Sequence, residues 1–242
     1  MTIDLAKTIN GVNADGPPHI DFIKRVANGD RLGVFASSFN PPTTAHVGLI
    51  QRAAETFSLD EVLALAGKSN ADKLDYACSL EDRLAMLTLT FATDSRVSIG
   101  LSSHAFYVDM IDALYEAYPA QTDLHFIVGF DTFERVLDVQ DRYTKRYYRE
   151  FGSRLEVLGC LFERSSFIVA GRAGAGSQSV RELVVPEPAV PSNRVLYLDF
   201  PPDLGELSST EVRTRRREGR PITGFVPVPV EEYISQHGLY RA

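Results

Sequence analysis

RLGVFASSFNPPTTAHVGLIQRAAETF, residues 31–57, contains the change of period that sets the fold class. The first six residues are an aliphatic and aromatic run of strand length, and VGLIQRAAETF carries apolar residues at helical spacing. Between them lie Ser37-Ser38-Phe39-Asn40-Pro41-Pro42-Thr43-Thr44-Ala45-His46. Small residues there let a ligand approach the backbone, and the two prolines fix φ and stiffen the turn. Thr43 or Thr44 can cap the helix, which puts His46 in its first turn. Free N–H groups and the positive end of the helix dipole favour a phosphate at such a place. An imidazole there can donate to a phosphate oxygen. A single histidine near a helix start is, on general grounds, more often a packed or solvated side chain.

Working outward, the strand-then-helix pattern repeats. Further strands are predicted at 61–66, 96–101, 124–129, 166–170 and 194–199. Helices are predicted at 43–57, 80–93, 106–117, 131–138, 209–218 and 229–236, the last with Pro229 near its start and Gly238 at its stop. This alternation predicts an α/β fold, a Rossmann-like, mostly parallel sheet with helices on both faces. Residues 31–242 read as one domain, and residues 1–30 as an N-terminal leader, loose up to Pro17-Pro18, and helix.

The 242 residues are 44% hydrophobic and carry a net charge of −7, which argues against general affinity for nucleic acid backbones. Two distant cysteines, Cys78 and Cys160, indicate neither a disulfide framework nor a zinc pattern, so a reducing cytoplasm is the expected compartment. No apolar run has the roughly 20 residues that span a bilayer, so no membrane partner is expected.

A second motif stands near the C-terminus: Leu207-Ser208-Ser209-Thr210-Glu211-Val212-Arg213. Ser208 and Glu211 have capping-box spacing, so a helix should start here. Ser209, Thr210 and Arg213 then gather at its first turn, where hydroxyls, free N–H groups and a planar guanidinium suit a polyphosphate. A capping box alone would explain the spacing equally well. The following Arg215, Arg216, Arg217 and Arg220 read as a solvated helix face. Residues 141–151, DRYTKRYYREF, read as a partly buried helix with snorkelling cations. Gly67-Lys68-Ser69 is not a Walker loop, because Val62 stands where the upstream glycine belongs.

Together, SSFNPPTTAH and LSSTEVR resemble the two signatures of the nicotinamide/nicotinate mononucleotide adenylyltransferases: a loop ending in (His/Thr)-x-x-His, and Ile-Ser-Ser-Thr-x-x-Arg. The resemblance spans approximately residues 31–241 and implies a nucleotidyltransferase-type fold. The implied reaction is adenylyl transfer from ATP to nicotinamide or nicotinate mononucleotide, giving NAD or deamido-NAD and pyrophosphate. It also implies Mg²⁺ bound through substrate phosphates, with no protein metal ligands, and it allows a homo-oligomer.

Carried onto this sequence, the resemblance makes His46 and Arg213 catalytic. It puts Phe39, Asn40, Thr43, His46, Gly129, Asp131, Ser208, Ser209, Thr210 and Arg213 on the ATP side. Ser37, Ser38, Lys73, Phe106, Tyr107 and Arg172 fall on the mononucleotide side, with Lys68 a rival to Lys73. The chain departs from the family at Ala36 and Ser37, where glycine is usual, and it has no tryptophan to stack on a pyridine ring. Two alternatives stay open: a related nucleotidyltransferase with another phosphorylated acceptor, or a non-catalytic nucleotide-binding regulatory protein.

Overall fold

The computed structural model describes residues 5–26, 29–68, 77–147, 150–171, 176–201 and 207–241. Seven strands form one sheet: β1 (Ile20–Lys24), β2 (Arg31–Ser37), β3 (Glu61–Gly67), β4 (Val97–Ser102), β5 (Asp123–Gly129), β6 (Ser166–Ala170) and β7 (Val195–Leu198). Their order is β1-β4-β3-β2-β5-β6-β7, all neighbours parallel except β1 on β4. Six of the strands therefore have the doubly wound order, with an antiparallel strand added at one edge.

The strands are apolar throughout because both faces are covered, and alternate residues supply two cores. Val34, Leu63, Leu65, Phe126 and Phe167 pack on one face with α4 (Tyr107–Ala117), α5 (Phe130–Leu137), α7 (Arg154–Arg164) and α8 (Ser177–Val184). Phe35, Val62, Ala64, Ile127 and Ile168 pack on the other with α2 (Thr44–Thr56) and α3 (Leu80–Thr90). A smaller third cluster of Met86, Val212, Ile222, Val226, Val230, Ile234 and Tyr240 seats α9 (Ser209–Arg217) and α10 (Val228–Gln236) beside α3.

The six predicted strands and six predicted helices are all present. The N-terminal segment departs from its reading as a loose leader followed by a helix: the helix α1 (Leu5–Gly11) lies before Pro17-Pro18, and the edge strand β1 follows them. Helix α6 (Arg142–Tyr147) lies in the basic-aromatic segment, its first turn held by the Asp138 carboxylate, which accepts from the N–H groups of Arg142, Tyr143 and Thr144. Helices α7 and α8 were not predicted. Gly159 interrupts the helical signal of α7, and α8 is only eight residues long.

Chain order reverses between β2 and β5: β2, β3 and β4 run outward one way, and β5, β6 and β7 the other. The β2–β5 ladder ends at Val34↔Phe126, whereas β2–β3 continues to Ser37↔Ala66 and β5–β6 to Gly129↔Ala170. The two central strands thus part before their carboxyl ends, and a crevice at a topological switch point is where open α/β sheets receive ligands.

Lys68, just past β3, has its ammonium on the carbonyls of Ile9 (2.8 Å) and Val12 at the end of α1. A cation so engaged is an anchor for α1, not a free phosphate ligand. Lys68→Met is expected to speed proteolysis of the N-terminal segment, read from the rate of limited digestion. An unchanged digestion rate would remove Lys68 as the anchor of α1.

Candidate active site

Thr43 caps α2: its side chain accepts from the His46 N–H (3.3 Å), and the Thr43 N–H donates to His46 Nδ1 (3.0 Å). Histidine here takes the place that Glu or Gln usually has in a capping box. This bond also decides the tautomer. With Nδ1 accepting, the proton of the neutral ring sits on Nε2, which becomes the donor. The ring packs on Phe35 and Phe39 with centroids 5.6 and 5.4 Å away. Burial among these groups pushes the His46 pKa down to about 4 from 6.5. His46 is therefore a neutral hydrogen-bond donor at pH 7, not an imidazolium.

The sign of its linkage follows. Between the unfolded value of 6.5 and the folded value of about 4, the unfolded chain binds a proton that the folded chain excludes. The stability contribution from neutral His46 is thus lost as pH falls through that window. An NMR titration of the His46 ring is expected to show a midpoint below 5, with no inflection in turnover between pH 8 and 6 arising from this group. A midpoint near 6.5 would contradict the environment described.

The loop after β2 is held in place through its carbonyls. Arg83, only 2% exposed, donates through Nη1 to Ser38 O (2.9 Å). Arg213 Nη1 donates to Asn40 O (2.6 Å), and the Ser209 hydroxyl donates to Pro41 O (2.8 Å). Thr44 joins the same assembly, its N–H donating to Phe225 O (3.0 Å) and its hydroxyl to Gly224 O (2.9 Å). These bonds bring two motifs separated by most of the chain to one place. Phe39 is fully buried at φ 44°, a left-handed conformation that a bulky residue adopts only where its surroundings dictate it. The Asn40–Pro41 peptide is cis.

At the start of α9, the Ser208 side chain accepts from the Glu211 N–H (3.1 Å) and forms the cap. Arg213 Nη2 donates to Thr210 Oγ1 (3.0 Å), so the guanidinium is oriented from two sides. Desolvation lowers the Arg213 pKa from its ordinary value. Ser208 and Thr210 use their oxygens as acceptors in these bonds. Ser209 has committed its proton to the loop and acts as a lock.

The other expected site residues divide. Ser37 and Ser38 are half-buried at the carboxyl end of β2. Gly129 is the N-cap of α5. A Cβ on Gly129 would meet nothing within 4 Å, so the space over the end of β5 is open. Asp131 is exposed in the first turn of α5. Tyr107 packs against Phe126 (4.9 Å between centroids) and Phe167 (5.6 Å), and burial raises its pKa; its ring belongs to the core. Phe106 is the N-cap of α4 and, like Tyr107, is partly buried against the same core. Lys73 and Arg172 lie outside the described residues.

The Asn40 side chain is held within the protein. Its side-chain oxygen accepts from the Tyr240 hydroxyl (2.8 Å) and the Cys78 thiol (3.2 Å). Arg83, Cys78 and Tyr240 were not among the expected site residues. Only Arg83 left a usable signal, a cation on the apolar stripe Leu80, Leu84, Leu87 of α3.

Residues 34–215 match the cytidylyltransferase-like family. A protein of Thermus thermophilus named as a probable nicotinate-nucleotide adenylyltransferase is 31% identical over 216 residues, covering 87% of this chain and 100% of its own length. A protein of the same name from Gemmatimonas aurantiaca is 30% identical over 233 residues, covering 87% of this chain and 92% of its own. Among solved structures, Plasmodium falciparum nicotinic acid mononucleotide adenylyltransferase complexed with NaAD superposes with a TM-score of 0.63 at 17% identity, covering 88% of this chain and 98% of its own. That likeness is one of fold. By its matched residues and by its relatives over nearly their whole lengths, the chain belongs to the nicotinate-nucleotide adenylyltransferase family of cytidylyltransferase-like proteins.

Proposed function

We propose that this chain transfers the AMP part of ATP to nicotinate mononucleotide, giving deamido-NAD and pyrophosphate. The observation that carries this reading is the junction of two capped helix starts, Thr43–His46 and Ser208–Arg213, through the carbonyls of Asn40 and Pro41 at the switch point. Two positive helix ends, a neutral imidazole donor and an oriented guanidinium make a receptacle for a triphosphate. The relatives, named for the nicotinate nucleotide, support the acid as acceptor.

In this scheme a phosphate oxygen of the mononucleotide forms a bond to the α-phosphorus of ATP. The bond from that phosphorus to the β,γ unit breaks, and its electron pair leaves with pyrophosphate. The attacking phosphate monoester is already ionised near neutral pH, so no strong general base is required. Positioning and charge stabilisation carry the catalysis. His46 Nε2–H donates to an α-phosphate oxygen. Arg213 faces the departing pyrophosphate, with the Ser208 and Thr210 hydroxyls beside it. Gly129 leaves room for the adenosine, whose ribose Asp131 accepts from. Ser37 and Ser38, with Lys73 and Arg172, serve the mononucleotide, and Phe106 is the aromatic offered to its ring.

The donor set at these helix starts fits phosphates, and among the described residues no group of three His, Cys, Asp or Glu converges to hold an ion. Mg²⁺ held through substrate phosphates would add positive charge against the leaving group. Among the described residues no helix is long and apolar enough to cross a membrane.

The test offers nicotinate and nicotinamide mononucleotides separately, with ATP and Mg²⁺, and identifies products by mass. A higher kcat/KM with the nicotinate form, yielding deamido-NAD, is expected. Equal or reversed preference would overturn the acceptor assignment. Pyrophosphate release only with another acceptor, such as phosphopantetheine, would make the chain a sibling enzyme. ATP binding without any release would make it a binding protein.

A further inference from the structure

We infer that Tyr240 is a positioning residue of the adenylyl-transfer site, acting from the end of the chain through Asn40 on Arg213. Helix α10 ends in a Schellman turn: Leu239 N–H donates to Ile234 O (3.0 Å) and Gly238 N–H to Ser235 O (3.4 Å), with Gly238 at φ 63°. That turn reverses the chain and sends Tyr240, itself at φ 60°, back into the protein. The ring is 6% exposed and packs with Met86, Val212 and Ile234.

Its hydroxyl then meets two groups from distant segments. It donates to Asn40 Oδ1 at 2.8 Å and lies 2.9 Å from Cys78 Sγ, which is 3.2 Å from the same amide oxygen. Asn40 is 4% exposed, and its own carbonyl accepts from Arg213 Nη1 at 2.6 Å. One residue therefore has its side chain fixed by the C-terminal tail and its backbone carrying the guanidinium.

Removing the hydroxyl leaves Asn40 Oδ1 with the thiol, a weak donor. A buried amide oxygen that has lost its better partner relaxes, and the peptide that orients Arg213 relaxes with it. Packing alone would not need the hydroxyl, since Phe fills the same space. The Schellman turn thus makes the residues that follow α10 part of the ATP-binding machinery.

The inference rests on the adenylyl-transfer reading, so turnover and binding are measured separately in the full-length protein. Tyr240→Phe is expected to lower kcat/KM for ATP about tenfold, the worth of one buried hydrogen bond, with the mononucleotide KM unchanged. In an Arg213→Lys background the same change should have little further effect, because the two act as a unit. Cys78→Ala, which removes the second donor to Asn40, should lower the same constant by a smaller factor. It also serves if Tyr240→Phe does not fold.

Unchanged ATP kinetics in both variants, or a loss that adds in full to that of Arg213→Lys, would overturn the role. If the wild-type chain shows no turnover, a non-hydrolysable ATP analogue titrated into wild type and Tyr240→Phe decides the matter. Weaker binding in the variant keeps the positioning role while the reaction falls, and equal binding removes it.

Discussion

Replacing His46 with alanine is expected to lower turnover by about 10²-fold or more, the scale of losing one preorganised donor to developing charge. The expectation rests on geometry more than on residue type. The Thr43 N–H occupies Nδ1, burial keeps the ring neutral, and the one remaining donor is Nε2–H. Alanine also removes half of the capping box and the ring contacts with Phe35 and Phe39, so a stability loss of roughly 1 kcal/mol should accompany it. His46→Glu separates the two effects. Glutamate is the usual capping-box partner at this position, so the cap should survive, while a carboxylate in place of the donor repels the triphosphate. Thermal unfolding near that of wild type, with turnover at or below the alanine variant, is the expected pair of results. If either variant turns over ATP near the wild-type rate, His46 is part of the helix cap and nothing more.

Arg213→Lys should cost about 10²-fold in kcat/KM for ATP despite conserving charge. The guanidinium donates to Asn40 O through one terminal nitrogen and to Thr210 Oγ1 through the other. A single ammonium cannot reproduce that fork, and lysine would sample rotamers that arginine is denied. Steady-state kinetics with ATP varied at saturating mononucleotide, set beside an unfolding curve, distinguish loss of orientation from loss of fold. Unchanged ATP kinetics would remove Arg213 from the triphosphate.

Much of this site is legible in the sequence because its decisive parts are local. A cap followed three residues later by His46, and Ser208 followed three residues later by Glu211, are short-range patterns, and backbone hydrogen bonding gives them one dominant meaning. The strand order is not legible in this way, because right-handed crossovers are compatible with more than one order of parallel strands. What escaped reading is long-range. Asn40 meets a hydroxyl 200 residues away in sequence, and nothing near SSFNPP announces that partner. Tyr107 puts its ring against Phe126 and Phe167, partners that its neighbourhood in the sequence does not announce either. Strand β1 is five residues long and antiparallel at an edge, outside the alternation that reveals the others.

The central claim is that chemistry occurs at the α-phosphorus of ATP, with nicotinate mononucleotide as the attacking group. Its most direct test is to run the reaction twice with nicotinate mononucleotide and Mg²⁺, once with ATP labelled at the α-phosphate and once at the γ-phosphate. The account predicts the α label in deamido-NAD and the γ label in pyrophosphate. Label from the γ-phosphate in orthophosphate or on the mononucleotide, with the α label left in ADP, would contradict it.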